Sequence, residues 1–138
     1  MGINKRILSL DIGTKRIGVA VSDALLMGAT PLKTIQRKDD LKAREEIIKT
    51  LEEYQTDVIL IGIPYNMDGS LGFQAKNCLD FIEPLRKNYT ILEQDERLSS
   101  FESEEILKQK GKKYTKNKGL VDMTAAAVIL QNYLENNR

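Results

Sequence analysis

Histidine and tryptophan are missing from all 138 residues, and cysteine occurs once, as Cys78. These absences exclude much chemistry. Without histidine there is no Ser-His-Asp or Cys-His nucleophile system. No structural zinc site can be assembled from Cys and His. One cysteine closes no internal disulfide, which suits a reducing compartment. Three prolines and nine glycines are too few for a low-complexity chain. No run reaches the roughly 18 apolar residues of a membrane span; the longest is Val58 to Ile63. Lys5 and Arg6 precede only Ile7 to Leu10 before Asp11 interrupts, so no signal peptide is read. Arg6 also stands where a myristoylation signal needs Ser or Thr. The expectation is a cytoplasmic protein with no membrane attachment.

What is present describes a globular chain. Charged residues make up 30% and hydrophobic ones 41%, a balance of folded rather than disordered proteins. The length suits one domain over 1–138. The net charge of +1 hides strong local fields. Residues 1–38 carry +5, residues 39–107 carry −9, and residues 108–119 hold six lysines and no acid. Two basic segments thus flank an acidic middle.

Apolar periodicity alternates between strand and helix along the chain. Lys5–Asp11 predicts a strand, Gly13-Thr14-Lys15 a turn, and Ile17–Asp23 a hairpin partner. Pro31–Gln36 predicts a third strand. Asp39 and Asp40 open a helix, where negative charge suits the positive end of the dipole; Leu41, Ile47, Ile48 and Leu51 form its apolar face. Asp57–Ile63 is a continuous β-branched run, as in a strand covered on both faces. A loop containing Asp68-Gly69 leads to a helix over about 73–87, with Pro84 expected to end or bend it. Tyr89–Asp95 predicts a fifth strand. Ser99 with Glu102 reads as a capping box for a helix to about Gln109. Residues 110–119 read as a basic loop, and Val121–Leu134 as a last apolar helix. The order β-β-β-α-β-α-β-α-α predicts an α/β fold, a mixed five-stranded sheet with helices on both faces.

With histidine absent, carboxylates are the reactive candidates. Asp11 ends an apolar strand on the face of Ile7 and Ser9; its bland reading is a turn residue capping Gly13 or Thr14. Asp95-Glu96 ends the fifth strand, where α/β crevices lie; its bland reading is an exposed strand end paired with Arg97. Asp122 heads a stripe continued by Ala125, Ala126 and Ile129; its bland reading is an N-terminal helix Asp favoured by the dipole. Convergence of these positions would make a like-charge cluster that needs a cation. Hard oxygen donors select Mg²⁺ or Mn²⁺, and two such ions can clamp a phosphodiester undergoing hydrolysis. The basic groups would hold a polyanion: Lys15, Arg16 and the lysines at 108, 110, 112, 113, 116 and 118, with Tyr114 as one aromatic surface. Their bland reading is a solvated lysine loop.

Leu10-Asp11-Ile12-Gly13 with Arg16-Ile17-Gly18-Val19-Ala20-Val21-Ser22-Asp23 resembles the opening motif of the YqgF family. These are RuvC-like nucleases of the ribonuclease H-like superfamily. The resemblance continues in Gly62-Ile63-Pro64, Met67-Asp68-Gly69-Ser70, Asp95-Glu96-Arg97-Leu98-Ser99-Ser100, and Lys118 to Asp122 with Ala125-Ala126 and Ile129-Leu130-Gln131. It implies a ribonuclease H-like fold and metal-dependent phosphodiester hydrolysis. It places catalytic and metal-holding roles on Asp11, Glu96 and Asp122, with Asp95 an adjacent alternative. Nucleic-acid contacts fall to Lys15, Arg16, Arg97, Lys110, Lys112, Lys113, Lys116 and Lys118. Gly13 and Gly18 also serve tight turns or close packing, Asp68-Gly69-Ser70 a turn and helix cap, and Cys78 a packed apolar position.

The resemblance implies maturation of the 5′ end of 16S ribosomal RNA, with RNA as substrate and a ribosome-associated partner. One rival is a resolvase of four-way DNA junctions, which would act as a two-fold dimer; no dimer signature is visible, and the sequence specifies no oligomeric state. Another is a non-catalytic RNA-binding assembly factor, which would not need the acids. A sugar-kinase or actin-like ATPase is suggested by Asp11-Ile12-Gly13-Thr14 alone, but such sites lie between two related domains and this length holds one.

Overall fold

Five short apolar segments become strands in the computed structural model, which describes residues 5–96 and 118–137. They are β1 (Ile7–Ile12), β2 (Arg16–Ser22), β3 (Ala29–Gln36), β4 (Val58–Ile63) and β5 (Thr90–Asp95). Their order across the sheet is β3-β2-β1-β4-β5. The β1–β2 and β2–β3 pairs are antiparallel, while β1–β4 and β4–β5 are parallel. The parallel register sets Leu10 against Ile61 and Ile63 against Asp95. The C-terminal ends of β1, β4 and β5 therefore share one edge.

The two-residue period of β1 divides the core. Leu8, Leu10 and Ile12 join Ile59, Ile61 and Ile63 on one face, beneath α1 (Asp40–Glu53) and α2 (Phe73–Ile82). Ile7 and Leu60 face the other way, against Ile129, Leu130 and Leu134 of α3 (Lys118–Asn136). Ser9 shares this second face and donates its hydroxyl to the Ala126 carbonyl at 2.8 Å. The mixed sheet with helices on both faces is thus as expected.

Several boundaries differ from the periodicity. Asp39 is the N-cap of α1, accepting from the amides of Leu41 and Lys42. Leu41 itself is exposed, because the buried stripe is Ala43, Ile47, Thr50 and Leu51, and Leu41 lies two residues off it. The helix expected over 73–87 ends at Ile82 and tightens into a 3₁₀ turn over Glu83–Leu85, since Pro84 cannot donate to the ladder. Gly72, not Ser70, precedes α2 as its N-cap; Ser70 instead closes the Asp68-Gly69 turn. The last helix begins at Lys118, so that residue and Gly119 are helical rather than part of a loop. The capping box at Ser99 and Glu102, its helix, and residues 110–117 lie outside the described residues.

Candidate nuclease site

Each of the three acids reaches the same sheet edge for a different local reason. Asp11 is the next α3-facing residue after Ser9 on β1. Its neighbour across the hairpin is Gly18. A methyl group at Gly18 would lie 1.9 Å from the backbone oxygen of Asp122. Glycine there lets the α3 backbone settle onto β2 and carries Asp122 to the edge. Asp122 sits one turn inside α3, with Ala126 and Ile129 buried on its stripe and Ala125 half-buried. The reading of Asp122 as a dipole-favoured first-turn residue is thereby corrected.

Glu96 follows β5, and its amide still donates to the Ile63 carbonyl at 3.1 Å. Leu92 packs with the α3 cluster, and Gln94 donates to the Ile129 carbonyl at 3.0 Å. The same period delivers Glu96 to the α3 face, where it is 7% exposed, and leaves Asp95 exposed. Gly62 opens the space: a methyl there would lie 2.1 Å from Glu96 Oε2 and 2.8 Å from Ile129 Cδ1. That parity separates two neighbours the sequence left as alternatives.

The electrostatics match this crowding. Burial, then the charge of Asp122, raises the Asp11 carboxyl to about 7. Burial, then Asp11 and Asp95, raises Glu96 to about 8. Glu96 Oε2 is buried without a hydrogen-bond partner among the described residues. Arg16 Nε donates to Asp122 Oδ2 at 2.7 Å in a mostly buried ion pair. Arg16, expected at a substrate backbone, is thus committed to an acid of the site. Among the described residues no three acids are already gathered as a metal cage. The Asp122 carboxylate is held instead by the Arg16 guanidinium.

Loss of Arg16 would leave Asp122 partly buried and unpaired. The Arg16→Ala protein is expected to be about 1–3 kcal/mol less stable without metal. Because a cation no longer competes with the guanidinium, Mn²⁺ should raise its melting temperature more than it raises that of the unaltered protein. Thermal melts with Mn²⁺ and with EDTA check this; equal metal shifts would remove Arg16 from competition at the site.

Of the basic groups, Lys15 is exposed at the hairpin turn. Lys118 is the first residue of α3. Arg97, Lys110, Lys112, Lys113 and Lys116 lie outside the described residues. Two positioning residues carried no sequence signal beyond charge or polarity. Arg37 stacks on Phe81 at 4.6 Å, pairs with Asp40, and donates Nη1 to the Gly13 carbonyl at 2.7 Å. Gln74 of α2 donates to the Ile12 carbonyl at 2.7 Å. Together they pin the backbone just past Asp11. Gly13 closes the hairpin by donating to the Arg16 carbonyl at 2.9 Å. Cys78 is buried among the core residues beneath α2, and burial pushes its thiol up to about 12, as suits a packed apolar position.

The chain is similar to known proteins over nearly its whole length. The family described as "RuvX: Holliday junction resolvase" matches residues 5–136. A Synechococcus elongatus protein named "Putative pre-16S rRNA nuclease" is 44% identical over 95% of this chain and 89% of its own length. One of the same name from Halothermothrix orenii is 43% identical over 94% of each chain. Among solved structures, the Fowlpox virus resolvase in complex with Holliday junction DNA aligns with TM-score 0.58 at 18% identity, over 95% of this chain and 97% of that one. T. thermophilus RuvC with a Holliday junction substrate gives 0.56 at 12% identity over 97% of each. These two likenesses establish the fold.

Proposed function

The chain belongs to the RuvX family, and on that premise we propose that it is a metal-dependent nuclease hydrolysing phosphodiester bonds of precursor 16S ribosomal RNA in the cytoplasm. The observation that carries the reading is Glu96, a buried carboxylate with an unpartnered oxygen beside Asp11. A buried acid without a partner is costly unless something compensates it. The donors are all hard oxygens, which fit Mg²⁺ or Mn²⁺, held by Asp11, Glu96 and Asp122. Two such ions, when bound, supply Lewis-acid polarisation and neutralise charge on the entering and leaving oxygens.

The chain's own groups do the rest. Arg37 and Gln74 hold the end of β1, so Asp11 projects from a fixed backbone. Gly62 admits Glu96 beneath the sheet edge, and Gly18 admits Asp122. Lys15, exposed at the hairpin turn, and the lysines between 110 and 118 are the groups proposed to contact phosphates, contacts that set position rather than sequence.

The test is a cleavage panel on purified protein: 5′-extended 16S precursor, unrelated single-stranded RNA, duplex DNA and a four-way junction, each with Mn²⁺, Mg²⁺ or EDTA. Metal-dependent cutting of the precursor supports the reading. The family's description favours a second reading, a DNA-junction resolvase, and preferential cutting of the four-way junction would establish it instead. Tight RNA binding with no cutting of any substrate would replace both with a non-catalytic assembly factor.

A further inference from the structure

α3 crosses the sheet strand by strand. The backbone of Asp122 lies over Gly18 of β2, and the Ala126 carbonyl meets Ser9 of β1. Ile129 meets both Gly62 of β4 and Gln94 of β5. These meetings follow the order β2-β1-β4-β5 of the strands. Two of them are hydrogen bonds from side chains. The Ser9 hydroxyl donates to the Ala126 carbonyl at 2.8 Å, and Gln94 Nε2 donates to the Ile129 carbonyl at 3.0 Å. A carbonyl bonded within its own helix keeps a second lone pair, so it accepts such a bond without giving up the helical ladder. Ser9 stands two residues before Asp11 on β1, and Gln94 two residues before Glu96 at the end of β5. The two-residue strand period turns each donor and its acid toward α3. Asp122 precedes Ala126 by about one helical turn. Each strand that presents an acid therefore also grips the helix that presents the third.

Packing alone does not account for these two donors. Ser9 is fully buried on the face that carries Ile7, Leu60, Ile129 and Leu130. An apolar side chain there would bury without the desolvation cost of a hydroxyl. Apolar contact is non-directional, so it resists separation of helix and sheet but only weakly resists sliding or rolling. A hydrogen bond is directional and fixes the atoms it joins. One such bond leaves α3 free to pivot about it. Bonds at both Ala126 and Ile129 fix its slide and its roll together. The glycines at 18 and 62 set only how closely it docks.

We propose that Ser9 and Gln94 are positioning residues: their grip on α3 at two points sets where Asp122 stands relative to Asp11 and Glu96, and with it the affinity of the three acids for a divalent cation. This rests on the reading of those acids as the metal site of a nuclease. Neither donor needs to touch the metal or the substrate. Groups that orient metal ligands from behind typically change metal affinity or activity by about 10–100-fold when lost.

The experiment titrates Mn²⁺ alone into the unaltered protein, Ser9→Ala, Gln94→Met and the double variant by calorimetry, well below their melting temperatures. Ile47→Val is the control, a truncation in the core cluster of the opposite face beneath α1. Gln94 is only half-buried, and methionine keeps its length without the donor, so Gln94→Met should fold whatever the fate of Ser9→Ala. Each single variant should bind Mn²⁺ about tenfold more weakly. The double variant loses about a hundredfold if the two bonds act separately and about tenfold if they form one seat; both results support the assignment. Cleavage at limiting Mn²⁺ should fall in parallel, while KM for RNA stays within about twofold. A merely structural role would lower melting temperature and leave Mn²⁺ affinity unmoved. Affinity within about twofold of the unaltered protein in both single variants, or an equal loss in Ile47→Val, overturns the proposal. Loss in one single variant alone removes the other residue from it. If the unaltered protein cuts nothing yet its Mn²⁺ affinity depends on Ser9 and Gln94, the positioning role stands and the nuclease reading falls. Full cleavage and Mn²⁺ affinity without dependence on either residue gives the reverse. No Mn²⁺ binding by the unaltered protein overturns both.

Discussion

Asp11→Asn and Glu96→Gln should each lower metal-dependent cleavage by about 10³-fold, roughly 4 kcal/mol of transition-state stabilisation. The same substitutions should make the metal-free protein more stable above neutral pH. The sign follows from the raised carboxyls. Their ordinary values are 3.8 and 4.5, and the fold lifts them to about 7 and about 8. Between these limits the folded state binds more protons than the unfolded chain, so stability falls as pH rises. The loss begins near the unfolded values and is complete once both folded values are passed. An amide carries no charge to desolvate, so each variant should flatten the curve.

Melting temperatures from about pH 4.5 to about pH 9, spanning the unfolded and folded values, check this with EDTA and with Mn²⁺. The unaltered protein should decline toward alkaline pH in EDTA and be restored by Mn²⁺, since a ligand that binds only the folded state stabilises it. Asp11→Asn should show neither the decline at full size nor the restoration. Parallel curves for the variants and the unaltered protein would refute the assignment of Asp11 and Glu96 as the crowded pair. A folded Asp11→Asn protein that still cuts with metal would refute its catalytic role separately.

Gly18→Ala should be among the most damaging single-methyl changes in the chain. The added carbon would overlap the backbone of α3 at Asp122, and a backbone cannot swing aside as a side chain can. Relief requires lifting α3, which also strains the Ser9–Ala126 bond and the Arg16–Asp122 pair. A loss of about 3 kcal/mol is expected, about a 10 °C fall in melting temperature for a domain of this size. Gly62→Ala meets the far end of Glu96 instead, together with Ile129. It should cost less stability and more cleavage, because the carboxylate can move but only out of place. Denaturant melts beside cleavage rates separate the two. Equal stability losses would mean that α3 adapts at Gly18 as easily as Glu96 does at Gly62.

Much of this protein is legible from local pattern. Absence of histidine directs the chemistry to carboxylates, and the two-residue strand period by itself places Asp11 on the face of Ser9. The Gly13 and Asp68-Gly69 turns and the Asp39 cap are likewise short-range, because a few adjacent dihedrals and hydrogen bonds decide them. Leu41 shows the limit: its apolar character is local, but whether it is buried depends on which stripe of α1 meets the sheet. Tertiary structure alone decided the rest. Asp95 and Glu96 differ by one position, and only the pairing of β5 with β4 and the packing of α3 bury one and expose the other. Arg16 and Asp122 are separated by 106 residues and meet at 2.7 Å, a contact that no periodicity encodes. Gly18 and Gly62 are glycines for what lies above them in space, not for their own backbone. The candidate acids can be picked out by residue type along the chain; they come together because parallel strand ends and one closely docked helix bring them to a common edge, where burial raises the carboxyls of Asp11 and Glu96.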